Sequence, residues 1–236
     1  MRLEGITLLA ASTSRSQAYL QALVANDFLP SNVIAIGAAP TDSADTPRET
    51  VWNGIPLPRL DESITTTCEG AQIPLISCPA KDINAQEVVR AVREAAPRIV
   101  IYSGYGGQIV GPEMLDSGAK FLHLHSGWLP EYRGSTTLYY ALLRGENPAV
   151  SALLLDRTID TGELVARRQY PRPGRDMDID RVYDSAIRAD LLVQVISAYV
   201  RDGRLPDLDN QTPDEGTTYF VIHPVLKHLA ILSLDE

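Results

Sequence analysis

Two histidines and one aspartate are the residues best suited to do chemistry in this chain. His123 and His125 close the apolar run 121–125, and Asp160 follows inside the turn Thr158-Ile-Asp-Thr-Gly162. Imidazole paired with carboxylate moves protons near neutral pH. Alternate side chains of a strand share a face, so Phe121, His123 and His125 point one way and Leu122 and Leu124 the other. Three readings of the imidazole pair stand open: polar groups satisfied by backbone, a metal site completed by Asp160, or a metal-free acid–base and oxyanion site. A metal wants a third and often a fourth ligand. The other histidines, His223 and His228, lie in the tail, and the nearby acids are Glu131 and Asp156. No ligand set is obviously complete, and no metal is expected. An acid in a turn is by itself an ordinary turn former.

The elements that must position these residues follow from hydrophobic patterning. Short apolar runs predict strands over 6–11, 32–37, 73–78, 99–103, 120–124, 150–155 and 163–170. Helical spacing predicts helices over 17–25, 83–95 and 136–144, with a short one at 112–115. Val182, Ala186, Ala189, Val193, Ile196 and Val200 mark one face of a long amphipathic helix. Residues 39–65 read as an irregular excursion and 206–216 as a loop, while 217–222 and 229–232 suggest a terminal hairpin. Alternating strands and helices predict an α/β, mostly parallel sheet with helices on both faces. Residues 1–200 are expected to form the catalytic domain and 201–236 a C-terminal loop and hairpin. Sites in such sheets lie at the carboxyl ends of strands. The histidine pair, the loop Gly104-Tyr-Gly-Gly107 and the 156–162 turn are all expected there, with His125 and Asp160 as neighbours in an open cleft.

Composition narrows the functions. Lys plus Arg is 21 and Asp plus Glu is 30, a net charge of −9 with no basic run, so nucleic acid is not an expected partner. Cys68 and Cys78 are the only cysteines, too few for a zinc framework or a disulfide scaffold. No signal peptide and no span of ~20 apolar residues is evident, which predicts a soluble cytoplasmic protein without a membrane partner. The glycines at 104, 106 and 107 lack the further glycine of a dinucleotide fingerprint, which argues against NAD. The polar turn 12–16 can cap the helix after it or receive an anion.

The run His123-Leu-His125-Ser-Gly-Trp-Leu-Pro130-Glu-Tyr-Arg133-Gly134 resembles the Asn-x-His-x-Ser-x-Leu-Pro-x-(aromatic)-Arg-Gly pattern of the folate-dependent formyltransferases. The turn Asp156-Arg-Thr-Ile-Asp160-Thr-Gly162 is similar to that family's Asp-x-x-x-Asp-x-Gly, and residues 104–112 are similar to its pterin-holding loop. The likeness is clear over about 99–165. It implies that the sheet is Rossmann-like, with 10-formyltetrahydrofolate as formyl donor, His125 as the catalytic histidine and Asp160 as the acid that orients it. It places Gly107, Gln108, Ile109 and Val110, with Asp156, Thr158 and Ile159, at the pterin. His123 replaces the family's Asn, whose amide is expected to donate to the developing oxyanion. An imidazole N–H can fill that role, and loss of such a donor costs about 2.7–4 kcal/mol.

The acceptor implied is a primary amine on a small molecule. Family members acting on tRNA carry a further nucleic-acid-binding domain, for which this chain is too short and too acidic. The purine-pathway members have a glycine-rich loop after the first strand, and here Ser12-Thr-Ser-Arg-Ser16 has no glycine. A nucleotide-linked amino sugar is therefore the leading acceptor, in a groove with Trp128, Tyr132 and Arg133, and a homodimer is the assembly entertained. The alternatives are a hydrolase or lyase using the same pocket, a metal-dependent enzyme built on His123, His125 and Asp160, and a non-catalytic folate-binding module.

Overall fold

The computed structural model describes residues 1–37, 49–208, 211 and 215–234. The chain divides into two compact units, Met1–His123 and Leu124–Glu236.

The first unit is a parallel sheet with helical crossovers. Its elements are β1 (Arg2–Ala11), α1 (Ser14–Ala25), β2 (Leu29–Ile36), β3 (Val51–Trp52), β4 (Ile55–Pro56), α2 (Ile64–Gly70), β5 (Leu75–Cys78), α3 (Gln86–Ala95), β6 (Ile99–Ser103), α4 (Pro112–Leu115) and β7 (Lys120–His125), which runs across the boundary between units. β1 pairs in parallel with β2 and with β6, β2 pairs with β5, and β6 pairs with β7. Ile6 and Leu8 to Ala11 of β1 are fully buried. A near-continuous apolar run, rather than an alternating one, is what a strand covered on both faces requires. Thr13 caps α1, its Oγ1 accepting from the Ser16 N–H at 3.2 Å, so plain capping accounts for part of the polar 12–16 turn. The irregular excursion expected over 39–65 holds the small β3–β4 hairpin and the start of α2; its residues 39–48 lie outside the described residues. The hairpin turns at Asn53 and Gly54, both at positive φ, as a two-residue turn demands. Cys68 and Cys78 are free thiols, both buried.

The second unit holds β8 (Tyr132–Gly134), α5 (Thr137–Leu143), the antiparallel pair β9 (Ala149–Leu154) and β10 (Leu164–Gln169), α6 (Asp184–Asp202), β11 (Thr217–Tyr219) and α7 (Pro224–Leu232). α6 is the long amphipathic helix of the 182–200 pattern. It is entered through a π-helical turn at Ile179–Tyr183 and ended by Gly203 at φ 71°. The expected C-terminal hairpin is not formed. Its first strand exists as β11 but pairs in parallel with β8, and 229–232 lies inside α7. Pro224 at the first helical turn and the His223 ring, accepting from the Val225 N–H at 3.2 Å, start that helix. Among the described residues no helix is long and apolar enough to cross a membrane.

Candidate active site

Each chemically marked segment follows the carboxyl end of a strand: the glycine loop after β6, the histidines at the end of β7, and the Asp156–Gly162 turn after β9.

In the second unit His125 and Asp160 meet, with imidazole Nδ1 3.4 Å from carboxylate Oδ2. The other ring nitrogen settles the tautomer. Nε2 lies 2.7 Å from the Tyr132 carbonyl oxygen, which can only accept, so Nε2 carries hydrogen. In the neutral ring, Nδ1 is then bare and faces the carboxylate, so this gap is where one proton is taken up. Burial is the largest influence on His125 and pushes its pKa below the ordinary histidine value, with the Asp160 charge pulling the other way. The pair is not in the open cleft expected: His125 is 5% and Asp160 8% exposed. The reason is local. The Tyr132 carbonyl holds the ring inward, and Asp160 Oδ2 accepts from the Gly134 N–H at 2.8 Å.

Asp160 itself occupies the left-handed region at φ 55°, which Asp tolerates better than most residues. Its turn is shaped by Asp156, whose Oδ1 accepts from the Thr158 N–H at 2.9 Å and the Thr161 hydroxyl at 3.0 Å. Gln211 clamps the turn from outside, donating to the carbonyls of Asp160 at 3.0 Å and Gly162 at 2.8 Å. Arg133 is buried and donates to Gln211 at 3.2 Å, so its guanidinium supports the Asp160 turn.

A second layer of polar groups surrounds His125. Arg188 donates to the Leu124 carbonyl at 2.7 Å and pairs with Asp184 at 2.9 Å. Asp184 also accepts from the Ser126 hydroxyl, and Thr137 donates to the Ser126 carbonyl. The backbone on both sides of His125 is thus fixed by side chains. Ser126, Thr137, Asp184, Arg188 and Gln211 are not marked by sequence patterning, although Asp184 and Arg188 four apart at a helix start are a readable ion pair.

Trp128 is half-buried, with the Arg167 guanidinium 4.6 Å from its ring centroid. Tyr132 is buried and donates to Glu146 at 2.6 Å; burial and that bond push its phenol up to about 12. Trp128 and Tyr132 line a cavity of about 220 Å³ together with Glu131, Glu146 and Gln169. Gly127 lines this cavity and also abuts the His125 ring, since a Cβ there would stand 2.8 Å from His125 Nε2.

In the first unit, His123 pairs in register with Tyr102, and the two rings lie 5.7 Å apart. The glycine loop is pinned by amides. Gln108 donates to the Lys81 carbonyl at 2.8 Å, and Asn84 donates to the Ile109 carbonyl at 3.0 Å while accepting from the Gly111 N–H at 2.6 Å. Val110 is buried, whereas the Ile109 side chain is 59% exposed. Nothing lies within 4 Å of a Cβ built on Gly106 or on Gly107, which sits at φ 80°. The loop therefore offers bare backbone beside an exposed apolar side chain, a cradle that fits a flat heterocycle such as a pterin. In the second unit Ile159 is likewise exposed, on the turn before Asp160.

A family model described as formyl transferase matches residues 6–190. The methionyl-tRNA formyltransferase of Thermus thermophilus is 35% identical over 173 residues, 71% of this chain and 52% of its own. The chain thus spans about half the length of the curated relatives it matches. In fold, it is similar to a sugar N-formyltransferase from Shewanella sp. FDAARGOS_354, with a TM-score of 0.59 and 12% identity over 97% of this chain and 87% of the other. It is also similar to the N-formyltransferase of Helicobacter canadensis, solved with folinic acid and dTDP-3-aminofucose, with a TM-score of 0.56 and 15% identity over 92% of this chain and 71% of the other.

Proposed function

From the premise that the chain belongs to the formyl transferase family, we propose that it moves a formyl group from 10-formyltetrahydrofolate onto the primary amine of a small molecule, with a nucleotide-linked amino sugar leading. The observation that carries this reading is the His125–Asp160 pair, assembled 3.4 Å apart with the ring's tautomer fixed. The donor's pterin is assigned to the bare backbone of 106–107 with Ile109. Bound, it supplies an electrophilic formyl carbon.

The chain's own groups do the rest. As the acceptor nitrogen bonds to that carbon it must shed a proton. His125 Nδ1 is the base able to take it, because the Nε2 hydrogen is committed to the Tyr132 carbonyl. Burial holds the ring neutral beforehand, and the Asp160 carboxylate steadies the imidazolium afterwards. The same proton then goes to the departing folate nitrogen. His123 supplies an N–H toward the oxygen that gains charge, in the role the family gives to an amide.

The charge balance, 30 acids against 21 bases, weighs against tRNA as acceptor even though sequence relatives are named for it. The test is incubation with 10-formyltetrahydrofolate and a panel holding nucleotide amino sugars and methionyl-tRNA, read by the mass gain of one formyl group. Formylation of a sugar amine with none on tRNA is the expected result. Free formate released at the same rate without any acceptor would replace transfer by hydrolysis.

A further inference from the structure

The geometry points to a self-association surface on the outer face of α7, where a second copy of this chain docks. The inference is independent of the reaction proposed above.

Large apolar side chains crowd one short segment. Phe220 is 80%, Val221 76% and Val225 60% exposed, and Leu226, Leu229 and Leu232 are each 41–49% exposed. Val225, Leu229 and Leu232 follow the spacing of a single helical stripe, with Leu226 beside it. Contiguous apolar patches of this kind are uncommon on monomers and mark contact sites.

The segment is a seated scaffold and not a loose end. Ala230 and Ile222 are fully or nearly buried, and α7 packs on α5. Arg172 donates to the Ser233 carbonyl at 2.9 Å, and Arg175 donates to the Leu234 carbonyl at 2.9 Å. Lys227 turns inward, bonding Asp180, with its ammonium 4.8 Å from the Tyr139 ring centroid. The inner face is thereby satisfied, and among the described residues the outer apolar face is left without a cover.

Charge selects the occupant. The chain carries 30 acids and a net charge of −9, so two copies repel over most of their surface. Residues 220–234 contain no Asp or Glu, and the sole Lys there is committed to Asp180. Here two copies can meet without opposing like charges, and a helix stripe packed antiparallel on itself is self-complementary, as a two-fold interface requires. Six such residues at these exposures offer roughly 600 Å² of surface per copy. Two copies make an interface at the low end of the specific range, about 1,200 Å² in total. The expected dimer is accordingly weak and concentration-dependent.

Sedimentation velocity of the full chain over a rising concentration series tests this. Wild type should shift from monomer to dimer mass. Leu229→Glu, at a half-exposed position, should remain monomeric throughout with an unchanged melting temperature. Phe220→Ser should do the same without touching the helix. Ile76→Glu, an exposed apolar position in the first unit, should dimerise like wild type. A wild type that stays monomeric across the series, or a Leu229→Glu variant that associates as readily as wild type, would overturn the proposal.

Discussion

The glycine loop of 104–111 and the His125–Asp160 pair are fixed in opposite ways. In the loop, two amide side chains bond to backbone, the glycines stay bare, and Ile109 is left facing out. In the pair, ring and carboxylate are both turned inward and each meets a backbone partner. A surface that receives a flat ligand needs rigid backbone and open space. A group that handles a proton needs a defined tautomer and shelter from water. The amides of Gln108 and Asn84 fix the loop in the first unit, while Arg188, Asp184 and Ser126 fix the backbone around His125 in the second.

Substitutions should separate the two designs. His125→Asn or Asp160→Asn should lower turnover at least 100-fold, the usual scale for a positioned base, while the formyl donor binds as before. A stopped assay with intact binding is the pattern to find, and near-wild-type turnover in either variant would remove the pair from the chemistry. Arg188→Met breaks the partly buried ion pair with Asp184 and frees the Leu124 carbonyl. It should cost about 3–5 kcal/mol of stability. The melting temperature should fall by roughly 10 °C, and turnover should drop more than donor affinity. Gly107→Val is the converse case. It places a branched side chain at φ 80° and fills the open space, at a strain of about 1–2 kcal/mol. Titration with folinic acid should show roughly tenfold weaker binding, with turnover at saturation nearly unchanged. The smallest effect is on pH. Because burial lowers the His125 pKa, the neutral ring persists below the ordinary value of 6.5. The acid limb of kcat should therefore lie below pH 6.5, and activity should be lost only as the pH falls through that lowered pKa. An acid limb above 6.5 would mean that Asp160, not burial, governs the ring.

Much of this architecture is legible from patterning, and the gaps have physical reasons. β6 and α4 fall where the apolar run and the proline predicted them, because buried parallel strands are continuous apolar stretches and Pro112 can open a helix. The 229–232 run predicts a strand but lies in α7, because a short apolar run fits either period. The signal that decided it, Pro224 behind a capping His223, was present in the sequence. β8 has no signature in the sequence, because three residues carry no period at all. Residue types and spacing single out His125 and Asp160, which the fold brings together, but the ring's inward turn depends on a carbonyl seven residues away, and backbone acceptors leave no mark on a sequence. Arg133 shows the same limit. Its type suggests a substrate contact, and only the fold shows that it is buried and donates to Gln211.

The two cysteines have a practical side. Cys68 and Cys78 are sheltered, and burial raises both thiols, Cys68 to about 11. Little thiolate is present at neutral pH, so maleimide reagents should pass both sites by. A single cysteine placed at an exposed position would then be the one labelled, and a spin label or dye could be attached without first stripping the native thiols.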